Sequence, residues 1–451
     1  MKPTHVNRYA DALKRTLGWQ NLTTRGRESR HCRRLRTVTP QRLVCALLEA
    51  LGAWRVETIA DILRTFNAQT GLAVRYKAFY NRLAQPEFPR FMRQVYRDIL
   101  RHLSVNILRP VAGGGLDFFK DIVVQDGSSF AVHDALAQTY GGRFTTIRPA
   151  AVEIHAFLSV FHDQVIDVEV APDKDSERRF LPSAEALVGK LLLADRGYQS
   201  LDYWEAVQRA GGFFLVRGKN DLNPRIARIW GPDGRLKRCE GRRLQDVIHL
   251  LPCRRVELDV EWVRPKKETL KLRMILVWSR QRRQYLTLMT NVPRAILTAR
   301  QVTEVYRLRW QVELLFKEWK SYANLHKFSS TCAPLVEGLI WASLCAAALK
   351  RTLAHAGQRS GASIPISNRI VAMCGAHILP ALLRAALCHF RGLERILKHI
   401  FHYLSNNAAR AHPERDRTRG RMRFGLEYVG IKSQVPNYEP MLFEHCAHLD
   451  V

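Results

Sequence analysis

The segment YRLRWQVELLFKEWK, from Tyr306 to Lys320, restricts the architecture of this chain more than any other stretch of its 451 residues. Read as one helix at about 100° per residue, it carries two polar stripes. Tyr306, Arg309, Glu313 and Lys320 share an arc of about 60°. Arg307, Gln311 and Glu318 form the second stripe. Large apolar side chains separate the two, with Trp310 and Leu314 on one flank and Val312, Leu315, Phe316 and Trp319 on the other. A surface helix needs only one polar stripe. The spacing therefore predicts a long helix over 299–322, wedged into a core with one stripe in solvent and the other in a cleft.

Two aspartates belong with that cleft. Asp126 follows the apolar run Ile122-Val123-Val124-Gln125 and precedes Gly127, and Asp195 follows Leu191-Leu192-Leu193-Ala194 and precedes Arg196-Gly197-Tyr198. Both sequences read as strands that leave a sheet at a carboxylate. Together with Glu313 they supply three carboxylates from three separate elements. Converging carboxylates repel one another and persist only if cations neutralise them. Hard oxygen ligands select Mg²⁺, with Mn²⁺ as a substitute. Two such ions roughly 3.5–4 Å apart can activate a water or a 3′-hydroxyl and stabilise the departing oxygen of a phosphodiester. Arg309 and Lys320, on the same stripe as Glu313, would then hold phosphates.

Charge points the same way. Lys and Arg total 71 against 41 Asp and Glu, a net of +30. That excess is spread along the chain, as expected for a partner of nucleic acid, where each neutralised phosphate releases counterions. The nine cysteines form no C-x-x-C pair, which argues against a disulfide framework or a zinc ribbon and fits a reducing cytosol. His445, Cys446 and His448 read as a chain end rather than a metal site. The first residues, Met1 to Thr16, lack the apolar core of a signal peptide. The most apolar stretch, Gly338 to Leu349, is too short to span a bilayer and reads as a buried helix. The expected location is cytoplasmic and nucleoid-associated, with no membrane partner.

Length suggests about three domains. Residues 1–105 read as a basic helical region. Within it, Glu57 to Phe66 and Val74 to Leu83 read as two helices joined by a turn at Asn67–Gly71. The second carries Arg75, Lys77, Tyr80, Asn81 and Arg82. This is the layout of a helix-turn-helix DNA reader, and also of an ordinary helical bundle. Residues 118–325 read as an α/β domain. Its strands fall at Ile122–Gln125, Val152–Phe161, Val165–Val170, Leu191–Ala194 and Phe213–Val216, and its helices at Pro182–Lys190 and Ser200–Ala210. Residues 219–296 interrupt it as a β-rich insertion, with β-like runs at Arg255–Val263, Leu270–Trp278 and Gln284–Thr290. Residues 326–451 read as a helical region with a basic tail from Arg410 to Arg423.

The Tyr306, Arg309, Glu313, Lys320 spacing (Y-x2-R-x3-E-x6-K), with VVQDGSS at Asp126 and ADRGY at Asp195 in that order, resembles the signature of the IS-four family of bacterial insertion-sequence transposases, which includes the Tn-five and Tn-ten enzymes. The resemblance covers about residues 118 to 350, and the β-rich insertion lies where that family carries one. It implies a ribonuclease-H-like fold, a DDE triad with two metal ions, and cut-and-paste transposition by a homodimer that pairs the transposon ends and joins them to target DNA. It also implies that Asp126 contacts both metals while Asp195 and Glu313 hold one each, and that Tyr306, Arg309 and Lys320 grip phosphates near the terminal cut. Arg196 and Tyr198, directly after Asp195, join Arg75, Lys77 and Arg82 as further candidate DNA contacts. Some relatives form a hairpin and stack a flipped base on an aromatic residue of the insertion, for which Tyr285, Trp278 and Trp262 are the candidates. Other readings are a DNA-binding relative that no longer cuts, a ribonuclease-H-like nuclease that cleaves without joining, a hydrolase using Ser128 or Ser129 with His133 and Asp134, and a paired-carboxylate glycosidase. The hydrolase lacks a G-x-S-x-G elbow, and the glycosidase does not call for +30.

Overall fold

The computed structural model describes residues 5–231, 234–325, 329–413, 425–429 and 431. Most of the basic tail over 410–423, and the cluster His445, Cys446 and His448, lie outside the described residues. The chain divides into two compact units. One comprises Met1–Pro110, Asp126–Phe180 and Trp310–Gly430, and the other Val111–Gln125, Leu181–Arg309 and Ile431–Val451.

The N-terminal part of the first unit is helical, as the sequence suggests: α1 (His5–Leu17), α2 (Trp19–Glu28), α3 (Pro40–Ala53), α4 (Ile59–Thr70), α5 (Tyr76–Leu83) and α6 (Phe88–Leu103). Local signals set the starts. Pro40 sits at the first helical position of α3 behind Thr39, whose side chain accepts from the Arg42 amide. Thr58 and Asp61 form a capping box on α4. The turn expected at Asn67–Gly71 is instead the last turn of α4, which stops at a left-handed Gly71. The Asn67 amide explains the shift, because it reaches forward to both the amide and the carbonyl of Val74 and closes the loop from within the helix.

The strands are β1 (Leu108–Pro110), β2 (Ile122–Ala131), β3 (Ala151–Ser159), β4 (Gln164–Pro172), β5 (Leu191–Ala194), β6 (Phe213–Arg217), β7 (Arg225–Trp230), β8 (Val256–Trp262), β9 (Leu270–Ser279), β10 (Gln284–Thr290) and β11 (Leu426–Tyr428). In the second unit the order is β2-β5-β6-β10-β9-β8-β7, with β2, β5 and β6 parallel and the rest antiparallel. The first unit has β4-β3-β2, with β3 and β4 an antiparallel pair, and β2 belongs to both units by chain continuity. The β-rich stretch is thus an antiparallel continuation of the same sheet: Leu288 pairs with Arg217 and Thr290 with Leu215. It also contains β7, which the turn residues of 220–234 conceal in the sequence. The helix expected at Pro182–Lys190 shrinks to a 3₁₀ turn, Ala184–Leu187, with Pro182 before it and Gly189 at φ 72° after it.

The remaining helices are α7 (Leu201–Arg209) and α8 (Leu244–Val247), then α9 (Ala299–Tyr306), α10 (Trp310–Tyr322), α11 (Ala333–Arg359), α12 (Asn368–Met373), α13 (Gly375–Leu387) and α14 (Leu393–Asn407). The apolar run at Gly338–Leu349 is part of α11, which is long and apolar enough to cross a membrane by length and composition. However, 83% of its apolar window is buried in the protein. It packs against α3, α6 and α14, as the central helix of a core does.

Candidate active site

In the second unit β2 and β5 run parallel with Gln125 in register with Ala194. Asp126 and Asp195 are the residues directly after these partners. β5 ends at Ala194, as expected, but β2 continues to Ala131, so Asp126 lies within a strand and not at its end. The pairing with β5 stops there while the extended backbone does not.

Asp195 is half exposed. The Tyr306 hydroxyl donates to its Oδ1 at 3.4 Å and lies equally close to the Ala194 carbonyl. The Arg217 guanidinium stands 3.9 Å from the same oxygen. Arg217 is not among the residues that the sequence singles out. The available signal is a basic residue closing β6, the parallel neighbour of β5. Beside Asp195, an open cavity of about 420 Å³ is lined by Arg196, Gly197, Lys219, Asn220 and Asp221. Arg196 is exposed there, but Tyr198 is fully buried. Its ring is part of the core, which removes it as a surface contact to DNA.

Asp126 sits in a tighter setting. Its Oδ1 accepts from the Gly127 amide at 3.0 Å. A Cβ at Gly127 would lie 2.5 Å from Glu153 Oε1, so glycine is what lets the β3 glutamate approach β2. Glu153 is buried and takes a hydrogen bond from Arg143 at 3.0 Å. Burial pushes its carboxyl up to about 7, opposed by Arg143 and reinforced by Glu177, Asp173 and Asp126. Neighbouring His155 stacks on Phe180 at 3.9 Å, and burial lowers it to about 4.

The stretch read as one helix is broken. α9 starts at a Thr298–Gln301 capping box and gives way to a 3₁₀ turn at Arg307–Arg309 before α10 begins. A 3₁₀ turn winds at about 120° per residue instead of about 100°, so a single helical wheel does not run through it. That corrects the wheel. Trp310 and Leu314, expected on an apolar flank, are 50% and 47% exposed, and Lys317 lies over the Trp310 ring at 5.4 Å. Glu318, expected in the solvent stripe, is buried against Arg351. Glu313 is half-buried. So is Lys320, whose ammonium donates to the Ser129 carbonyl at 3.0 Å; burial, with Arg148 adding, lowers its pKa.

α11 fixes α10 in place. Arg351 donates to Glu318 at 3.1 Å and to the carbonyl and carboxylate of Asp163 at 2.6 and 2.7 Å. Adjacent Lys350, fully buried, donates to the carbonyls of Tyr322, Gly52 and Ala372 at 2.7–2.9 Å. The last turn of α10 is thereby pinned by two neighbouring cations, an arrangement the sequence does not disclose.

The donor chemistry of Asp126, Asp195 and Glu313, all carboxylate, suits a hard divalent cation. Among the described residues no three His, Cys, Asp or Glu side chains are gathered closely enough to hold one ion. The hydrolase reading loses its base, because His133 Nδ1 accepts from the Ala135 amide as a cap. Of the aromatic candidates in the insertion, Tyr285 is buried, donates to the Pro252 carbonyl and packs edge-on against Trp278, and Trp262 is half-buried. In the N-terminal region Arg75 and Lys77 are exposed on or just ahead of α5, and Arg82 reaches Gln85 at 3.4 Å. α5 is held to α4 through Phe66 and Phe79.

The model of the transposase DDE domain matches residues 117–349. The chain belongs to the DDE transposase family. It is an enzyme of DNA transposition and a DNA-binding protein, and its family generally uses divalent metal ions. Among its relatives, the transposase for insertion sequence element IS231E of Bacillus thuringiensis subsp. finitimus is 21% identical over 363 residues, covering 71% of this chain and 75% of the relative. The transposase for insertion sequence element IS1151 of Clostridium perfringens is 22% identical, covering 52% and 57%. Among solved structures, the piggyBac transposase in a synaptic complex with hairpin DNA is similar at a TM-score of 0.43 and 9% identity, covering 90% of this chain and 86% of that one.

Proposed function

We propose that this DDE transposase cuts its element from the donor and joins it to target DNA, with Asp126, Asp195 and Glu313 as the triad on a ribonuclease-H-like sheet of the IS-four type. The observation that carries the reading is the parallel register of Gln125 with Ala194, which makes the two aspartates successors of paired residues on adjacent strands. Their order with Glu313 is the order of the DDE motif. The triad would hold two Mg²⁺ ions, with Mn²⁺ as a substitute, and bound metal would supply an activated water or 3′-hydroxyl and a sink for the leaving oxygen. The chain's own groups do the rest. Tyr306 and Arg217 orient the Asp195 carboxylate and balance its charge. Arg309, Lys320 and Arg196 offer cations to the phosphates of the cut end. Arg75, Lys77 and Arg82 present a basic face to the terminal repeats, two copies of the chain pair the ends, and the cytoplasm, where the bacterial nucleoid lies, is the place of action.

The test is cleavage, in Mg²⁺, of a DNA fragment carrying the gene with its natural flanks, by wild type and by Glu313→Gln. Cutting at both flanks by wild type, followed by joining to a target plasmid and absent from the variant, is the expected result. Binding without cutting in both Mg²⁺ and Mn²⁺ would make the chain a relative that has lost its chemistry. Cutting without joining would make it a nuclease.

A further inference from the structure

The connection between β2 and β3, residues 132–150, is a built structure. Its base is closed by hydrogen bonds from Val132 to the Ala150 carbonyl, Ala151 to Tyr140, Gly142 to Pro149 and Lys174 to Gly141, at 2.9–3.2 Å. A Cβ at Gly142 would fall 1.9 Å from the Arg148 carbonyl oxygen, so only glycine permits this closure. Arg143 then clamps the loop. Its amide donates to Asp173 Oδ2 at 2.9 Å, and its guanidinium reaches the Asp173 carbonyl, Glu153 and Glu177 at 3.2, 3.0 and 3.4 Å. Beyond the clamp, the amides of Ile147 and Arg148 both donate to the Phe144 carbonyl, at 3.1 and 2.7 Å, and wind the tip into a single tight turn.

That tip presents the wrong side chains for water. Phe144 is 64% exposed and Ile147 83%, the most exposed large apolar side chain among the described residues. Single exposed apolar residues are ordinary. Two on one hydrogen-bonded turn, fixed at its base by an arginine that spends its guanidinium on three neighbours, are not a by-product of packing. The surroundings state what the tip fits. Arg148 is exposed on the same turn, and its charge is felt at Lys320. The aliphatic stem of Lys174 runs against Gly141. A partner with an anionic exterior and a planar apolar interior matches cations flanking an apolar tip, and stacked bases between phosphates have that form. Phe and Ile are among the side chains that proteins drive between base steps.

We propose that the Phe144–Ile147 turn is a wedge that enters the base stack of the DNA this transposase holds, while Arg148 takes a phosphate beside it. Arg143 braces the wedge to Glu153, and Glu153 abuts Gly127, so the wedge is tied to the strand that carries Asp126. The inference rests on the reading that the chain holds DNA and adds where that DNA is opened.

The experiment uses the full chain and duplexes of the gene's natural flank with 2-aminopurine moved through successive positions. Binding and its salt dependence are read alongside 2-aminopurine emission. Wild type is expected to bind and to raise emission severalfold at one or two adjacent positions. Phe144→Ala with Ile147→Ala keeps the salt slope and loses the rise, and Arg148→Ala lowers the slope by about one phosphate contact. Phe144→Trp, still able to stack, keeps the unstacking. Unchanged emission in the double variant overturns the wedge, as does a wild type that binds without brightening any position. A wild type that does not bind at all overturns the DNA reading itself. A double variant that changes the sedimenting mass but not the emission would make the turn a contact between protein copies and overturn the proposal.

Discussion

Glu318 on α10 and Asp195 after β5 are both acids, and the protein holds them in different ways. Around Glu318 every charge is answered at hydrogen-bond distance. Arg351 lies at 3.1 Å, Arg351 in turn holds Asp163 at 2.7 Å, Asn368 reaches the other Asp163 oxygen at 2.7 Å, and all of these acids are buried. Around Asp195 the hydroxyl and the guanidinium stand further off. Asp195 meets its tyrosine at 3.4 Å and its arginine at 3.9 Å, and Asp195 and Glu313 both keep part of their surface in water. A buried acid must be neutralised when the protein folds, because an uncompensated charge there costs several kcal/mol. An acid meant for a cation from outside is better served by loose partners that leave its oxygens available. The difference in distance and hydration thus separates Glu318, an acid of the architecture, from Asp195, an acid proposed for the chemistry.

The largest effect expected from breaking this distinction is on activity. Asp126→Ala or Asp195→Ala should take cleavage below detection while the free energy of unfolding stays within about 0.5 kcal/mol of wild type, as for partly exposed positions. A variant that cuts at the wild-type rate removes that residue from the triad. The converse holds at the core. Arg351→Ala removes the guanidinium that Glu318 and Asp163 share and should cost about 3–5 kcal/mol in denaturant unfolding. An unchanged midpoint would mean that the network does not hold α10.

Glu153 sharpens the comparison, because it is buried like Glu318 but lies beside Asp126. Its carboxyl is raised by burial to about 7, so the folded state binds the proton more tightly than the unfolded chain does. The associated stability is complete below about pH 4.5, the ordinary carboxyl range, and is lost as pH rises through about 7. The loss is at most about 3.5 kcal/mol, since each tenfold difference in proton affinity is worth about 1.4 kcal/mol. Glu153→Gln should flatten unfolding free energy between pH 5 and pH 8. An equally steep fall in the variant would assign the titration to another group.

Much of this is legible in the sequence, for reasons visible residue by residue. Leu191–Ala194 is bounded by Lys190 and Asp195, and its uninterrupted apolar run predicts the strand with the bounds it has in the structure. The helix read over Glu57 to Phe66 is found as α4, Ile59–Thr70. Two things are not legible. One is the 3₁₀ turn at Arg307–Arg309, where no Gly or Pro marks the change of winding, and with it the exposure of Trp310 and the burial of Glu318. The other is every long-range partner: Arg217 for Asp195, Arg351 for Glu318 and Arg143 for Glu153. Side-chain periodicity reports which face of an element is apolar. It carries no information on which distant charge meets a polar residue, and the function of an acid turns on that meeting.

Lys320 stands on the line between the two classes. The sequence puts it on the phosphate stripe, whereas the structure half-buries it and gives its ammonium the Ser129 carbonyl on β2. An ammonium has three donors, and that contact uses one. If the others serve DNA, Lys320→Ala should leave unfolding nearly unchanged, weaken binding of the flank duplex, and lower the slope of log affinity against log salt by about one. An unchanged slope with a lowered unfolding midpoint would instead make Lys320 a tie between α10 and the strand that carries Asp126. Lys320 would then belong with Lys350 and Arg351 as architecture, and phosphate binding on this helix would fall to groups ahead of Glu313.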